Sequence, residues 1–250
     1  MRSAALPLLI CAGCAFGQRR VDFEIEGAPA FLISPDRAAP GNPWLWYAPT
    51  RVGKNPGKET DWYFSRLLAK GFAIGGIDVG ESMGNPAGRA LFAKFHRAMV
   101  ERHALSRRPV LMPRSRGGLM LYNWAVEHPE SVGCIGGIYT VCDLSSYPGL
   151  AKAAAAYGVP EAELGRNLAL HSPVDRLAPL AAEGVPVLHL HGDVDKVVPL
   201  DRNSLELVKR YGSMGGPGRV TVVKGLGHQV APEFFESEEM LRFLLDCPRR

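Results

Sequence analysis

The sequence predicts an α/β protein built on a doubly wound, mostly parallel sheet, and three observations carry that prediction. Short apolar runs bounded by Gly or Pro recur along the chain, segments with helical spacing of apolar residues separate them, and the runs are apolar at every position rather than at alternate ones. A strand covered by helices on both faces needs apolar side chains on both, whereas a half-exposed strand alternates. With 250 residues, 46% hydrophobic and 22% charged, the chain has the length and balance of one such domain.

In chain order, "VDFEIEG" and "PAFLIS" can form an antiparallel hairpin at one edge of the sheet. The strand-like runs that follow are "WLWYA" (44–48), "FAIGGIDV" (72–79), "PVLM" (109–112), "VGCIGGIY" (132–139), "VPVLHL" (185–190) and "RVTVV" (219–223). Helical stripes lie between them: Leu91, Phe92, Phe95 and Met99; Leu119, Tyr122, Ala125 and Val126, stopping before Pro129; and Leu241, Leu244 and Leu245 near the C-terminus. Residues 142–184 break the rhythm, with Ala-rich helical pieces and no strand, and read as a small helical lid inserted beside the site.

The opening "MRSAALPLLICAGCAFGQ" has one early positive charge, an apolar core too short to span a bilayer, and small residues at Ala15 and Gly17. It reads as an export signal over 1–17, with a domain over 18–250 that is secreted or periplasmic. "CAGC" also resembles a lipid-attachment box, which would make Cys14 a membrane anchor; a buried N-terminal element is the third reading. A net charge of +4 is spread without a basic run or aromatic interleaving, which argues against nucleic acid as a partner. Beyond the leader, Cys134, Cys142 and Cys247 suit neither a zinc site nor a disulfide framework and read as small buried hydrophobes, Cys134–Cys142 pairing being the oxidising-compartment alternative.

Two serines follow strand runs. In open parallel sheets ligands bind beyond the carboxyl ends of the strands, so Ser82 and Ser115 are both candidates. Ser82 matches the literal nucleophile pattern Gly80-x-Ser82-x-Gly84, but Pro86 and Gly88 follow and delay the next helix. Ser115 follows "PVLM" and is succeeded at once by Gly117, Gly118 and an amphipathic helix, the context a nucleophile elbow requires. Pro113 stands where that elbow usually has its first glycine, which predicts a distorted approach.

A serine hydroxyl needs a base, and the base needs an orienting acid. "HGDVDKVVP" supplies Asp195, with Asp193 as its alternative, and "GLGH" supplies His228. His191 opens the acid loop and is positioned to brace it, while His96, His103, His128 and His189 read as core or surface. The order Ser, Asp, His, each beyond a different strand, fits an α/β-hydrolase. Through "SRGG" (115–118), "HGDVDKVVP" (191–199) and "GLGH" (225–228), the chain resembles the α/β-hydrolases, and is similar to their prolyl-oligopeptidase-like and dienelactone-hydrolase-like branches, from about Trp44 onward. The resemblance implies Asp195 as the acid, since those families carry it on the last residue of the "HGxxD" pattern.

The oxyanion of acyl transfer needs two preset donors. The backbone N–H of Arg116 is the first candidate and that of Thr50 the second, because Pro49 has none. Arg114 and Tyr139 are candidate substrate contacts: Arg114 and Arg116 flank the serine and could hold an anionic group, or pair with nearby acids, and Tyr139, Tyr147 and Tyr157 could shape the pocket or pack in the core. The expected activity is hydrolysis of a carboxylic ester, small-molecule or carbohydrate, through an acyl-enzyme, without cofactor or metal. No propeller domain precedes the unit, which favours an ester over the peptide of a prolyl-oligopeptidase-like peptidase; a non-catalytic hydrolase-fold binding protein is the other alternative.

Overall fold

The computed structural model describes residues 19–51 and 53–247. The export-signal segment and Cys14 lie outside the described residues. Eight strands form one sheet: β1 (Arg19–Ile25), β2 (Ala28–Ser34), β3 (Trp44–Ala48), β4 (Ala73–Ile77), β5 (Val110–Pro113), β6 (Cys134–Ile138), β7 (Val187–Gly192) and β8 (Gly218–Val223). The helices among the described residues are α1 (Asp61–Ala69), α2 (Pro86–His103), α3 (Gly117–Ala125), α4 (Leu150–Tyr157), α5 (Glu161–Arg166), α6 (Ala178–Ala182), α7 (Ser204–Ser213), α8 (Pro232–Phe235) and α9 (Glu238–Asp246).

The strand order is β1-β2-β4-β3-β5-β6-β7-β8. β3 through β8 run parallel, and β1 and β2 are added antiparallel at one edge. The hairpin turns through Glu26 and Gly27, both with positive φ (51° and 79°), the backbone that a two-residue loop matching strand twist requires. The sheet is covered on both faces. One holds Trp46, Phe92, Phe95, Leu121, Trp124 and Leu207, contributed from β3, α2, α3 and α7. The other holds Leu45, Tyr63, Leu67, Leu190, Phe234 and Leu244, from β3, α1, β7, α8 and α9. Leu45 and Trp46 are adjacent and face opposite cores, which is why the strand runs lack alternation.

The chain leaves β3 for β4 on one side and then crosses to β5 on the other, so the winding direction reverses between β3 and β5. A crevice opens beyond the carboxyl ends of two strands at such a point. Residues 142–184 contain α4, α5 and α6 and no strand, as expected. Through Leu144, Ala153, Ala154 and Leu164 they pack on Met83, Leu119, Val141 and Val198.

Two expectations need correction. The helix after Ser82 is not delayed: α2 begins at Pro86, with the Asn85 side chain accepting from Gly88 N–H at 2.8 Å. Proline loses nothing at a first helical position, whose N–H has no partner inside the helix. The cysteines also pair differently, with Cys134 and Cys247 forming a disulfide, 5.9 Å between Cα atoms, while Cys142 is free and buried. The 113-residue separation hid that pairing from any argument based on local spacing. Among the described residues no helix is long and apolar enough to cross a membrane.

Candidate active site

Ser115 occupies the turn between β5 and α3 with φ of +50°, a left-handed conformation that non-glycine residues enter only where surrounding structure enforces it. Here the enforcement is visible. Ser115 N–H donates to Ile138 O at 3.0 Å, and Ser115 O accepts from Gly118 N–H at 3.0 Å and Val141 N–H at 2.9 Å. A Cβ on Gly117 would collide with the Ala48 carbonyl, and one on Gly118 with the Val141 carbonyl. Those two glycines let α3 press against β3 and the segment after β6, so the turn can be tight.

Pro113 fits without distorting the elbow. Arg114 N–H donates to Ala48 O at 2.8 Å, so strand alternation turns the Pro113 nitrogen toward β6. On that side the paired residues stop at Leu111 and resume at the Arg114–Ile138 bridge. The missing N–H leaves out one rung of the β5–β6 ladder, which resumes directly beyond it through Ser115 N–H and Ile138 O.

Three loops distant in sequence converge on Ser115. Its Oγ lies 2.8 Å from His228 Nε2, and His228 Nδ1 lies 2.8 Å from Asp195 Oδ2. The other carboxylate oxygen, Oδ1, accepts from the backbone N–H groups of Val197 and Val198, both at 2.9 Å. Burial opposes ionisation of Asp195, but hydrogen bonds from His191, His228 and Val198 outweigh it and hold the carboxyl well below the usual range. The acid is thus a fixed anion, and His228 is oriented with Nδ1–H toward it and Nε2 free to accept the serine proton.

Asp193 does other work. Its Oδ1 accepts from Gly225 N–H at 2.7 Å and its Oδ2 pairs with Lys224 at 3.2 Å, fixing the turn that delivers His228. Ser82 is buried and its Oγ accepts from Gly84 N–H at 3.4 Å, a local turn contact in the loop ahead of α2.

The arginines that flank the serine both face carboxylates. Arg114 pairs with Glu59 and donates to Tyr139 Oη at 3.0 Å, while Arg116 Nε lies 2.7 Å from Glu81, which Arg51 also pairs at 2.5 Å. Tyr139 also takes a positive φ, 35°, and its ring lies 4.3 Å from that of His228. Burial leads the forces that push its hydroxyl up to about 12, so it stays protonated beside the base. Of the tyrosines in the inserted segment, Tyr157 donates to Met83 O at 3.3 Å and Tyr147 packs against the cluster of Leu144, Ala153 and Leu164.

Thr50 is buried in the loop after β3, its hydroxyl donating to Tyr47 O at 3.3 Å. Sequence reasoning missed two neighbours. Glu59 sits in a three-residue turn ahead of α1, where nothing in "NPGKET" marks a role. Tyr47 lies inside the apolar run "WLWYA", yet its fully buried hydroxyl lies close to the Arg114 guanidinium and is in hydrogen-bonding geometry with no side chain. A tyrosine one residue from the carboxyl end of a central strand is the signal that could have raised it.

The sheet, the elbow and the convergence of three loops define an α/β-hydrolase fold. No protein-family model and no curated protein matches the chain. Among solved structures it is similar to a puromycin-hydrolysing peptidase of Mycobacterium tuberculosis, with a TM-score of 0.66 and 17% identity, covering 92% of this chain and 38% of that one. It is likewise similar to a puromycin hydrolase solved as a serine-to-alanine mutant complexed with PGG, with a TM-score of 0.65 and 18% identity, covering 91% of this chain and 37% of that one. The chain thus spans under two-fifths of the length of these structures.

Proposed function

We propose that the chain is a serine hydrolase that cleaves a peptide or aminoacyl amide bond through an acyl-enzyme, in the manner of a prolyl-oligopeptidase-like catalytic unit. The observation that carries this reading is the unbroken contact from Ser115 Oγ through His228 to the ionised Asp195, 2.8 Å at each link. Ser115 attacks the acyl carbon while His228 Nε2 takes its proton; the imidazolium, stabilised by Asp195, then returns that proton to the leaving amine. Water activated by the same imidazole releases the acid. The developing oxyanion is held by Arg116 N–H and by a second donor, either Thr50 N–H or the unpartnered Tyr47 hydroxyl.

Preference for an amide over the ester expected from sequence rests on the company of the fold, since both similar structures are described as puromycin-hydrolysing proteins, one of them a peptidase. It also rests on an open cleft of about 550 Å³ that Glu59, the partner of Arg114, helps to line, with Trp62, Val230 and Phe235 on its wall and Lys58, Asp61 and Glu236 among its charged residues. Trp62 and Phe235 give an apolar side chain a surface to pack on, and the acidic residues around them suit the free amino group of an aminoacyl substrate. Arg114 is already committed to Glu59 and Tyr139 and so supplies no free cation to a substrate. The Cys134–Cys247 disulfide supports an oxidising compartment and so an exported enzyme.

A fluorophosphonate probe and a panel of paired aminoacyl amides and esters test the proposal. Labelling of Ser115, lost in Ser115→Ala and kept in Ser82→Ala, together with turnover of aminoacyl amides, is the expected result. Turnover of esters alone would return the ester reading, and absence of labelling at Ser115 would favour a binding protein.

A further inference from the structure

Behind the acid lies a line of polar side chains that the proposed chemistry does not use. His189 and His191 are two apart on β7 and so point to the same face, toward α3 and α7. Tyr122, His189, Ser204 and His191 are all fully buried. Tyr122 Oη lies 2.8 Å from His189 Nε2; His189 Nδ1 lies 2.8 Å from Ser204 Oγ; Ser204 Oγ lies 2.7 Å from His191 Nδ1. His191 Nε2 then faces Val198 O at 2.8 Å and Asp195 Oδ2 at 3.4 Å.

The proton positions along this line follow from its two ends. A carbonyl oxygen only accepts, so His191 Nε2 carries a hydrogen, donated to Val198 O with Asp195 Oδ2 3.4 Å from the same nitrogen. In a neutral His191 that makes Nδ1 an acceptor, and the hydrogen it accepts is that of Ser204. Ser204 has one hydrogen and two imidazole neighbours, so having donated to His191 it must accept from His189 Nδ1–H. His189 Nε2 is then the acceptor left for Tyr122 O–H. Burial, reinforced by the nearness of His191, pushes His189 down to about 3, which keeps that ring neutral. The opposite direction would need a doubly protonated His191, which would neutralise the carboxylate that His228 depends on.

We propose that Tyr122, His189, Ser204 and His191 form a donor chain of one direction that ends on Asp195 and positions this acid for His228. The inference rests on the triad reading above. Four buried polar groups at sites that apolar residues could fill are costly unless each hydrogen bond is made, and here every one is made. His191 is thereby locked in one tautomer and one ring orientation. Asp195 then has the Val197 and Val198 N–H groups on Oδ1 and His228 Nδ1–H on Oδ2, with the His191 N–H edge 3.4 Å from Oδ2, and is held facing the base. These are positioning residues; none touches the reacting atoms.

Two-bond ¹⁵N–¹H imidazole correlation spectra at neutral pH test the chain directly, with signals assigned by their loss in His189→Gln and His191→Gln. The expected result is His191 as the Nε2–H tautomer and His189 as the Nδ1–H tautomer, both neutral. An Nε2–H tautomer at His189, or a protonated His191, overturns the proposal. This readout does not depend on activity, so it stands apart from failure of fluorophosphonate labelling, which would instead remove the triad reading. In a folded Ser204→Ala the downfield His228 Nδ1 proton moves and labelling of Ser115 slows about tenfold, the loss expected when His191 is deprived of the hydrogen bond at Nδ1 that fixes its tautomer. Ser204→Thr, which keeps the hydroxyl, retains most of the rate; an unchanged resonance and rate in folded Ser204→Ala would equally overturn the positioning role.

Discussion

Replacing Asp195 by Asn swaps one carboxylate oxygen for a nitrogen donor, and the surroundings dictate which one. Val197 and Val198 N–H groups both point at Oδ1 at 2.9 Å and need an acceptor, so the amide oxygen goes there. The amide nitrogen takes the place of Oδ2, 2.8 Å from His228 Nδ1 and 3.4 Å from His191 Nε2. Two N–H groups cannot face each other at that distance, so His228 gives up its hydrogen at Nδ1 and carries it at Nε2. That nitrogen lies 2.8 Å from Ser115 Oγ and can no longer accept the serine proton. The base is lost with hardly an atom displaced. In serine proteases such a tautomer reversal costs a factor of about 10⁴, or about 5 kcal/mol of transition-state stabilisation. The assay is the second-order rate of fluorophosphonate labelling at Ser115 beside a thermal melt. Asp195→Asn that melts normally yet labels within tenfold of the unmodified enzyme would refute the tautomer reasoning.

Tyr47→Phe removes the unpartnered hydroxyl and is expected to lower acyl transfer by about 10²–10³ if it is the second oxyanion donor; an unchanged kcat would assign that role to Thr50 N–H. Converting both Cys134 and Cys247 to Ala releases a 113-residue loop. The chain-entropy estimate for such a loop is about 4.8 kcal/mol, so calorimetry should show a melting temperature lower by roughly 10–20 °C, and superimposable melts would refute it. His189 stays neutral in the fold down to about 3, against an ordinary value of 6.5, while the unfolded chain takes up a proton. Its contribution to stability is therefore complete above pH 6.5 and declines as pH falls toward 3. Urea titrations from pH 7 to 4 should show a shallower loss in His189→Gln, and equal slopes would count against a buried neutral ring.

The succession of strands along the chain and the loops that carry the candidate site were legible because both follow from local pattern. Unbroken apolar runs such as "WLWYA" announce a sheet covered on both faces, and the abrupt passage from "PVLM" to Gly117 and Gly118 announces a tight turn. Ser115, Asp195 and His228 were legible because each follows a strand and the three residue types make sense only together. What stayed hidden depends on register across the sheet. The meeting of Cys134 with Cys247 depends on where α9 crosses β6, and the contact of Tyr122 with His189 depends on α3 lying over β7. Glu59 and the free hydroxyl of Tyr47 were hidden for the same reason, since their partner or lack of one is a property of packing. Pro86 misled because proline interrupts a helix but also begins one, and sequence pattern alone does not separate the two.

β6 serves two purposes at its two tips. Cys134 opens it and is stitched covalently to the end of α9, whereas Tyr139, just past its last residue, leans on the His228 imidazole. Four strand steps, about 13 Å, separate the first residue from the last. Durability is thus secured on one side of the sheet and reactivity on the other. The segments that crown the reactive side can be lengthened, reshaped or exchanged to suit a new substrate while the seam beneath them holds the frame closed.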